Sequence, residues 1–239
     1  QAANHRLYLV GGSVRDRLLH REVHDYDLAT DALPAEVKRL VRRAGATSIY
    51  TVGEKFGTIG AIFDGITTEI TTFRGEAYKP LSRKPEVRFG TTLLEDLARR
   101  DFTINAMAQD VVTGEMIDPF GGREDLQRRT IRAVGEAAER FAEDPLRLLR
   151  AVRFAAQLGF SLDPTTAAAI VEQADLLATI SRERIAEEMD RILTSPHAAK
   201  AVRQLCDLGL MRHIVPEVLD LRGMQEEAYH HKDVFEHTL

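Results

Sequence analysis

Two carboxylates separated by one residue, Asp25 and Asp27, are the side chains in this sequence best suited to chemistry. In an extended strand, residues two apart point to the same face, so both carboxylates would lie on one side. Earlier in the sequence, two glycines, Gly11-Gly12, predict a turn, and Ser13 follows them directly. Such a turn lets a phosphate approach the backbone, and a following helix holds the anion with its free N–H groups. Carboxylates beside a polyphosphate cradle are what Mg²⁺ needs to bridge a nucleoside triphosphate to an attacking hydroxyl.

Two strands and a helix must hold these groups in place. The run Leu7 to Val10 predicts a short buried strand that leads into the glycine turn, and Ser13 to Leu19 predicts the start of a helix. Asp25 to Ala29 predicts a second strand. A third carboxylate is expected on a neighbouring strand, and Glu69 is the only acid in the predicted strand from Thr67 to Phe73. Alone, Gly-Gly is compatible with a plain turn, and Asp-x-Asp is compatible with a solvated strand edge. The two patterns in this order favour a single site, because one supplies the phosphate cradle and the other supplies the metal ligands.

A second pattern, suited to recognition, is Glu143-Asp144-Pro145-Leu146-Arg147. Apolar spacing predicts one helix from Glu136 to Leu158, on which Asp144 and Arg147 would share a face. Cytosine and adenine both offer an amino donor beside a ring acceptor, so the Asp can accept and the Arg can donate. Uracil and guanine present the opposite order, which would leave two mispaired groups at a cost of about 1–3 kcal/mol each. The alternative is a surface ion pair worth roughly a few tenths of a kcal/mol.

These segments together resemble the class II tRNA nucleotidyltransferases, which are the CCA-adding enzymes and their bacterial poly(A) polymerase relatives within the polymerase-β-like superfamily. Leu9 to Asp16 and Asp25 to Thr30 are similar to the family's first motif, and Arg99 to Ala106 is similar to its second. Glu143 to Arg147 is similar to its base-reading motif. The order and spacing of these motifs fit, and the resemblance covers nearly the whole chain.

The resemblance implies a template-independent RNA nucleotidyltransferase that adds C and A to the 3′ end of tRNA, using CTP and ATP. Asp25 and Asp27 would ligate two Mg²⁺ ions, with Glu69 as a further catalytic carboxylate. The residues expected to contact the nucleotide are Gly11, Gly12, Ser13, Arg15, Arg100, Asp101, Asn105, Glu143, Asp144, Arg147 and Arg150. Among these, Ser13 with the glycine turn would hold the phosphates, Arg15 and Arg100 could add charge-assisted bonds to them, and the resemblance places Asp101 near the ribose. Arg15 as a surface residue of its helix and Asp101 as a helix N-cap are the structural alternatives.

The fold class is predicted as α+β, with a polymerase-β-like head followed by helices. Further strands are predicted at 58–63 and 114–118, and helices at 35–44, 93–99 and 103–108. After Gly122 no strand signal remains, and helices are predicted at 164–174, 183–193 and 196–209. We therefore expect a catalytic head with a mixed sheet over 1–122, a helical neck over 123–195 and the start of a helical body over 196–239.

Composition is that of an ordinary globular protein. Cys206 is the only cysteine, which excludes a disulfide within the chain and fits a reducing cytoplasm. Apolar runs are too short to span a membrane, and we expect a cytoplasmic protein. The net charge of −5 argues mildly against a polynucleotide partner. However, a local excess of arginine between Arg123 and Arg153 is compatible with a nucleic-acid surface, or with solvated helix faces. Oligomeric state is left open.

The segment 74–84 is rich in glycine, proline and charge, which predicts a mobile loop. In the resembling family a loop in this region helps the switch from C to A addition. Its near-full length here favours complete CCA addition. Partial CC or A addition, and poly(A) addition, remain alternatives.

Residues 229–239 are rich in histidine and resemble the opening of an HD-type phosphohydrolase domain, in which His237 would be the first ligand. One potential ligand cannot make a metal site, so no metal is expected there, and the native protein is expected to extend beyond Leu239. The rival from another class is an HD-type phosphohydrolase whose head is a regulatory nucleotide-binding module.

Overall fold

The computed structural model describes residues 4–23, 25–77, 86–90, 92–222 and 235. The chain divides into two compact units, Gln1–Arg128 and Arg129–Leu239. The predicted division into 1–122, 123–195 and 196–239 stays a prediction about domains. His237 and residues 78–85 of the predicted loop lie outside the described residues.

Nine strands are described in the first unit. They are β1 (Leu7–Val10), β2 (Asp25–Thr30), β3 (Ser48–Tyr50), β4 (Thr58–Phe63), β5 (Ile66–Thr72), β6 (Arg74–Ala77), β7 (Glu86–Phe89), β8 (Ala108–Asp110) and β9 (Met116–Ile117). The helices are α1 (Gly12–Leu18), α2 (Pro34–Arg43), α3 (Leu93–Ala98) and α4 (Gly122–Arg128), with 3₁₀ turns at Glu54–Phe56 and Thr103–Asn105.

Seven of these strands form one mixed sheet in the order β3-β4-β5-β2-β1-β8-β9. Among the described strands of this sheet, β2 and β5 make the one parallel pair, and the other neighbours are antiparallel. Strands β6 and β7 pair separately as a two-stranded antiparallel ribbon. The mixed sheet confirms the predicted α+β head.

Side chains alternate between the two faces of this sheet, and each face has its own apolar core. On one face Tyr8, Val10 and Ala29 pack with Leu97 of α3. On the other face, α2 contributes Val37 and Val41 to a cluster with Ile59, Ala61 and Ile70. Asp25 and Asp27 have the same parity in β2 as Ala29, so they lie on the face that α3 covers.

Several predicted elements of the first unit are wrong in detail. The predicted helix 103–108 is a 3₁₀ turn followed by β8, because residues from Ala108 onward pair with β1. The predicted strand 114–118 is reduced to Met116–Ile117. Residues 74–77 of the predicted loop form β6, because their backbone pairs with β7.

The described part of the second unit, residues 129–222 and 235, is predominantly helical. Its helices are α5 (Ala137–Glu143), α6 (Leu146–Leu158), α7 (Pro164–Gln173), α8 (Arg182–Leu193), α9 (Ala198–Asp207) and α10 (Glu217–Asp220). The 3₁₀ turns are Ala174–Thr179 and Met211–His213. Helix α6 is the central element, since Leu148, Leu149 and Val152 are fully buried. Within the described residues, no helix combines the length and apolar character that a membrane span requires.

Two predictions for this unit are wrong. A short parallel pair, β10 (Thr130–Ile131) with β11 (Ser161–Leu162), follows Gly122, where no strand was expected. The single predicted helix 136–158 is two helices, because Asp144 adopts an extended backbone with φ −143° and ψ 96°. A residue that precedes proline is disfavoured in the helical region, and Pro145 imposes that restriction here.

Candidate active site

The glycine turn between β1 and α1 lies directly against charged side chains. Gly11 has φ +66°, and a Cβ there would lie 2.8 Å from Nη1 of Arg100 and 3.7 Å from Oδ2 of Asp27. A Cβ on Gly12 would lie 3.5 Å from Nη2 of Arg15 and 3.9 Å from Oδ2 of Asp27. Only glycine combines that positive φ with so little space at Gly11. The turn, one carboxylate and two guanidinium groups therefore occupy one small region.

Three carboxylates share one face of the sheet beside this turn. Asp25 and Asp27 are two apart in β2, and the parallel register with β5 pairs Asp27 with Glu69. Asp25 and Glu69 are exposed, whereas Asp27 is partly buried. Burial raises the pKa of Asp27 above its ordinary value, and the charges of Glu69 and Asp25 raise this pKa further, against the opposing effects of Arg100 and Arg15. These carboxylates repel one another, which is the electrostatic environment that a divalent cation relieves.

No group of three or more His, Cys, Asp or Glu side chains forms a ready-made metal cluster in the part of the chain that the structure describes. The carboxylates at positions 25, 27 and 69 nonetheless have the chemistry that Mg²⁺ prefers, because they supply hard oxygen ligands from neighbouring strand positions. Asp25 and Asp27 are the residues of this unit that could hold Mg²⁺, with Glu69 adjacent.

Ser13 fastens the turn to β2. Its hydroxyl donates to the backbone O of Asp25 at 3.1 Å and accepts from the backbone N of Asp27 at 2.8 Å, and Ser13 is buried. These two bonds fix α1 against the strand that carries the carboxylates. Phosphate binding by Ser13 stays a prediction, because these hydrogen bonds of its hydroxyl are to the backbone of β2.

The second motif forms a network around Asn105. Nη1 of Arg15 donates to Oδ1 of Asn105 at 2.8 Å, and Nδ2 of Asn105 donates to Oδ1 of Asp101 at 3.1 Å. The same Asp101 oxygen accepts from the backbone N of Phe102 at 2.8 Å. Arg15 also pairs with Asp16 through two bonds of 2.8 Å. The structure thus brings Arg15, Asp101 and Asn105 together, whereas Asp101 is not the N-cap of a helix, since that position is Phe102.

A buried acid that the sequence prediction missed supports this network. Asp96, in α3, has a side chain that is 1% exposed and pairs with both Arg99 and Arg100. The spacing of these three residues could have identified Asp96 from the sequence. An acid that is followed by arginines three and four residues later lies on the same face of a helix as those arginines.

In the second unit, Arg147 is held by Glu143. Nη1 of Arg147 donates to Oε2 of Glu143 at 2.9 Å and to the backbone O of Arg140 at 3.0 Å. Glu143 also pairs with Arg140. The Arg147 side chain is largely buried, so its orientation is fixed by these contacts.

Asp144 and Arg147 do not share a helical face, since Asp144 lies in the break between α5 and α6. Both carboxylate oxygens of Asp144 lie 3.4 Å from Nη2 of Arg184 in α8, a residue that was not among the predicted site residues. No sequence signal links residues 144 and 184.

The guanidinium of Arg150, another predicted site residue, lies over the ring of Phe154, with 5.3 Å from Cζ to the ring centroid.

Two family models match the chain. The model described as "Poly A polymerase head domain" matches residues 7–132, and the model described as "Probable RNA and SrmB- binding site of polymerase A" matches residues 159–221. The first match contains the glycine turn and the three carboxylates. Residues 143–150, which contain the predicted base-reading motif, lie between the two matched ranges.

Curated relatives are also similar. The CCA-adding enzyme of Geobacillus sp. (strain WCH70) is 46% identical over 215 residues, which cover 90% of this chain and 52% of the relative. The crystal structure of the Bacillus stearothermophilus CCA-adding enzyme in complex with CTP has a TM-score of 0.80 and 46% identity, and the match covers 89% of this chain and 50% of that one. The Thermotoga maritima CCA-adding enzyme complexed with tRNA has a TM-score of 0.78 at 29% identity, covering 90% of this chain and 50% of that one. The chain spans about half the length of the curated relatives it matches.

Proposed function

Because the chain belongs to the poly A polymerase head domain family, we propose that it is the catalytic portion of a nucleotidyltransferase that adds C and A to the 3′ end of tRNA. The observation that carries this proposal is the position of Asp27, which lies beside the glycine turn and is paired with Glu69 across β2 and β5. The similarity to CCA-adding enzymes supplies the substrates of the proposal, which are tRNA, CTP and ATP.

In the proposed reaction the 3′-hydroxyl of the RNA attacks the α-phosphorus of the nucleotide, and pyrophosphate leaves. Asp25 and Asp27 would hold Mg²⁺, which would supply charge neutralisation at the phosphates and activation of the attacking hydroxyl. The Gly11-Gly12 turn would receive the phosphate tail at the start of α1, where backbone N–H groups have no partner within the helix. The guanidinium groups of Arg15 and Arg100 would neutralise the charge of that tail.

Base choice in this proposal belongs to the second unit. Asp144 would accept a hydrogen bond from the amino group of cytosine or adenine, and Arg147 would donate to the ring nitrogen beside it. Glu143 supports this assignment because it holds the Arg147 guanidinium in one orientation. Uracil and guanine would leave both side chains mispaired, which gives the discrimination.

The test is incorporation by the full-length protein, with sequencing of the product end. A tRNA transcript that lacks CCA, and an unstructured RNA of equal length, are each incubated with all four nucleoside triphosphates and Mg²⁺. We expect CCA on the tRNA and little addition to the unstructured RNA. Addition of CC or A alone would indicate a partial activity, and long runs of A on both RNAs would indicate a poly(A) polymerase. Absence of any incorporation would overturn the proposal.

A further inference from the structure

Asp96 is a fully buried carboxylate whose two oxygens are both in use. Its Oδ1 accepts from Nη2 of Arg99 at 2.8 Å and from Nε of the same residue at 3.1 Å. Its Oδ2 accepts from Nη2 of Arg100 at 3.2 Å. A buried carboxylate is costly unless it is paired and hydrogen-bonded, so the positions of these two arginines and of Asp96 depend on one another.

The Arg100 side of this pair leads to the glycine turn. With Nη2 held by Asp96, Nη1 donates to the backbone O of Asn105 at 3.3 Å. The same Nη1 lies 2.8 Å from the position that a Cβ of Gly11 would occupy. Two fixed acceptors therefore hold the guanidinium against the turn, and Asp96 is the charged one of the two.

The Arg99 side leads to the two-stranded ribbon. Nε of Arg99 donates to the backbone O of Arg74 at 3.1 Å, and the backbone N of Arg74 lies 3.4 Å from Oδ1 of Asp96. Arg74 is the first residue of β6. One carboxylate thus contacts both the base of the ribbon and the arginine at the turn.

We infer that Asp96 is a positioning residue for the nucleotide's phosphate tail, acting through Arg100, and that it also connects this arginine to the start of β6. The inference rests on the proposed function for the identity of the ligand. Its physical basis is preorganisation, because an arginine that is already oriented loses less side-chain freedom when it meets a phosphate.

The test compares Asp96→Asn with the unsubstituted full-length protein. Asparagine keeps the shape of the side chain and removes its charge. We expect the Kd of CTP in the presence of Mg²⁺, and the KM values of CTP and ATP, to rise about tenfold, which is the effect of losing one charged hydrogen bond. We expect kcat to change by less than about threefold and the preference for C and A over U and G to be unchanged, since a lost ground-state contact raises KM without changing kcat.

A double-mutant cycle separates positioning from general destabilisation. If Asp96 acts through Arg100, adding Asp96→Asn to an Arg100→Gln protein should raise the Kd of CTP by less than about twofold. Asp163→Asn is the matched control, because Asp163 is another buried aspartate, which caps α7 of the second unit. This control should lower the melting temperature and leave the Kd of CTP unchanged.

An unchanged Kd in a folded Asp96→Asn protein, or full additivity with Arg100→Gln, would overturn the inference. If Asp96→Asn does not fold, Asp96→Glu serves, because it keeps the charge and displaces it by one methylene. The same rise in Kd is expected, and an unchanged Kd would again contradict the inference. Because CTP binding is measured without turnover, a protein that binds CTP but adds no nucleotide would contradict the proposed function alone.

Discussion

Asp27 in β2 and Glu69 in β5 are direct partners in the register of the parallel strand pair. Paired residues of neighbouring strands point to the same face, so the two carboxylates are held side by side by backbone hydrogen bonds rather than by flexible loops. The proximity of Glu69 also contributes to the raised pKa of Asp27. An acid at position 69 therefore adds negative charge where the proposed Mg²⁺ would bind.

We predict that Glu69→Gln lowers kcat for CTP incorporation by about tenfold to a hundredfold, because a site with one negative charge fewer binds Mg²⁺ less tightly. Raising the Mg²⁺ concentration should partly restore the rate. Glu115→Gln, at a position just before β9, is the control and should leave the rate unchanged. A Glu69→Gln protein with unaltered rate and Mg²⁺ dependence would remove Glu69 from the site.

We predict that Gly11→Ala raises the KM of CTP, because the added methyl would lie 2.8 Å from Nη1 of Arg100 and would displace that guanidinium. Gly114→Ala is the matched control, since Gly114 has φ +74° and open space around a Cβ. Both substitutions should cost about 1 kcal/mol of unfolding free energy from backbone strain. Equal KM values for the two variants would show that the close contact at position 11 is irrelevant to nucleotide binding.

We predict that Arg147→Ala lowers the preference for CTP and ATP over UTP and GTP by about tenfold or more, because one half of the proposed base contact is lost. The measurement is kcat/KM for each of the four triphosphates. Arg212→Ala, which removes a half-exposed arginine paired with Asp175, is the control and should keep the selectivity. Unchanged selectivity in Arg147→Ala would refute the base-reading role.

We predict that the stabilising effect of Asp96 is lost in acid. Burial alone would raise the pKa of Asp96, but the Arg99 and Arg100 guanidinium groups outweigh burial and hold this pKa below its ordinary value. A carboxyl group with a lowered pKa in the folded state stabilises the protein above its unfolded-state pKa of about 3.9. That stabilisation disappears as the pH falls through the lower pKa of the folded state.

Denaturant unfolding at a series of pH values measures this effect. At neutral pH, Asp96→Asn should lower the free energy of unfolding by about 1–3 kcal/mol. The difference between the two proteins should shrink below a pH of about 4. A difference that stays constant down to the acid limit would show that the charge of Asp96 does not stabilise the fold.

Much of the first unit could be predicted because its signals are local. The apolar run at 7–10, the glycines after it and the alternation around Asp25 and Glu69 each specify a strand or a turn over a few residues. Glu69 was expected on a strand neighbouring β2, but the parallel register that pairs it with Asp27 is not specified by these local patterns. Strands β3, β6 and β7 were missed because they are only three or four residues long, so backbone pairing with a neighbouring strand defines them more than their own residue pattern does.

The predicted base-reading segment shows a different limit. Apolar spacing continues through 136–158 and predicts one helix, but the restriction that Pro145 places on Asp144 interrupts it. The contact of Asp144 with Arg184 joins residues far apart in the chain, and only the packing of the second unit could reveal it. Asp96 was missed because its arginine partners three and four residues later were interpreted as part of a motif instead of as its ion-pair partners.

The proposed nucleotide transfer requires Mg²⁺ held by Asp25 and Asp27. The most direct measurement is Mg²⁺-dependent incorporation of labelled CTP into tRNA lacking CCA, by the full-length protein and its Asp25→Ala and Asp27→Ala variants. Asp31→Asn, just beyond the other end of β2, is the control and should retain the rate within about threefold. We predict a loss of at least about a hundredfold for each alanine variant with the fold intact. Folded alanine variants that keep their rates within about tenfold of the unsubstituted protein would contradict the assignment of Asp25 and Asp27 as Mg²⁺ ligands.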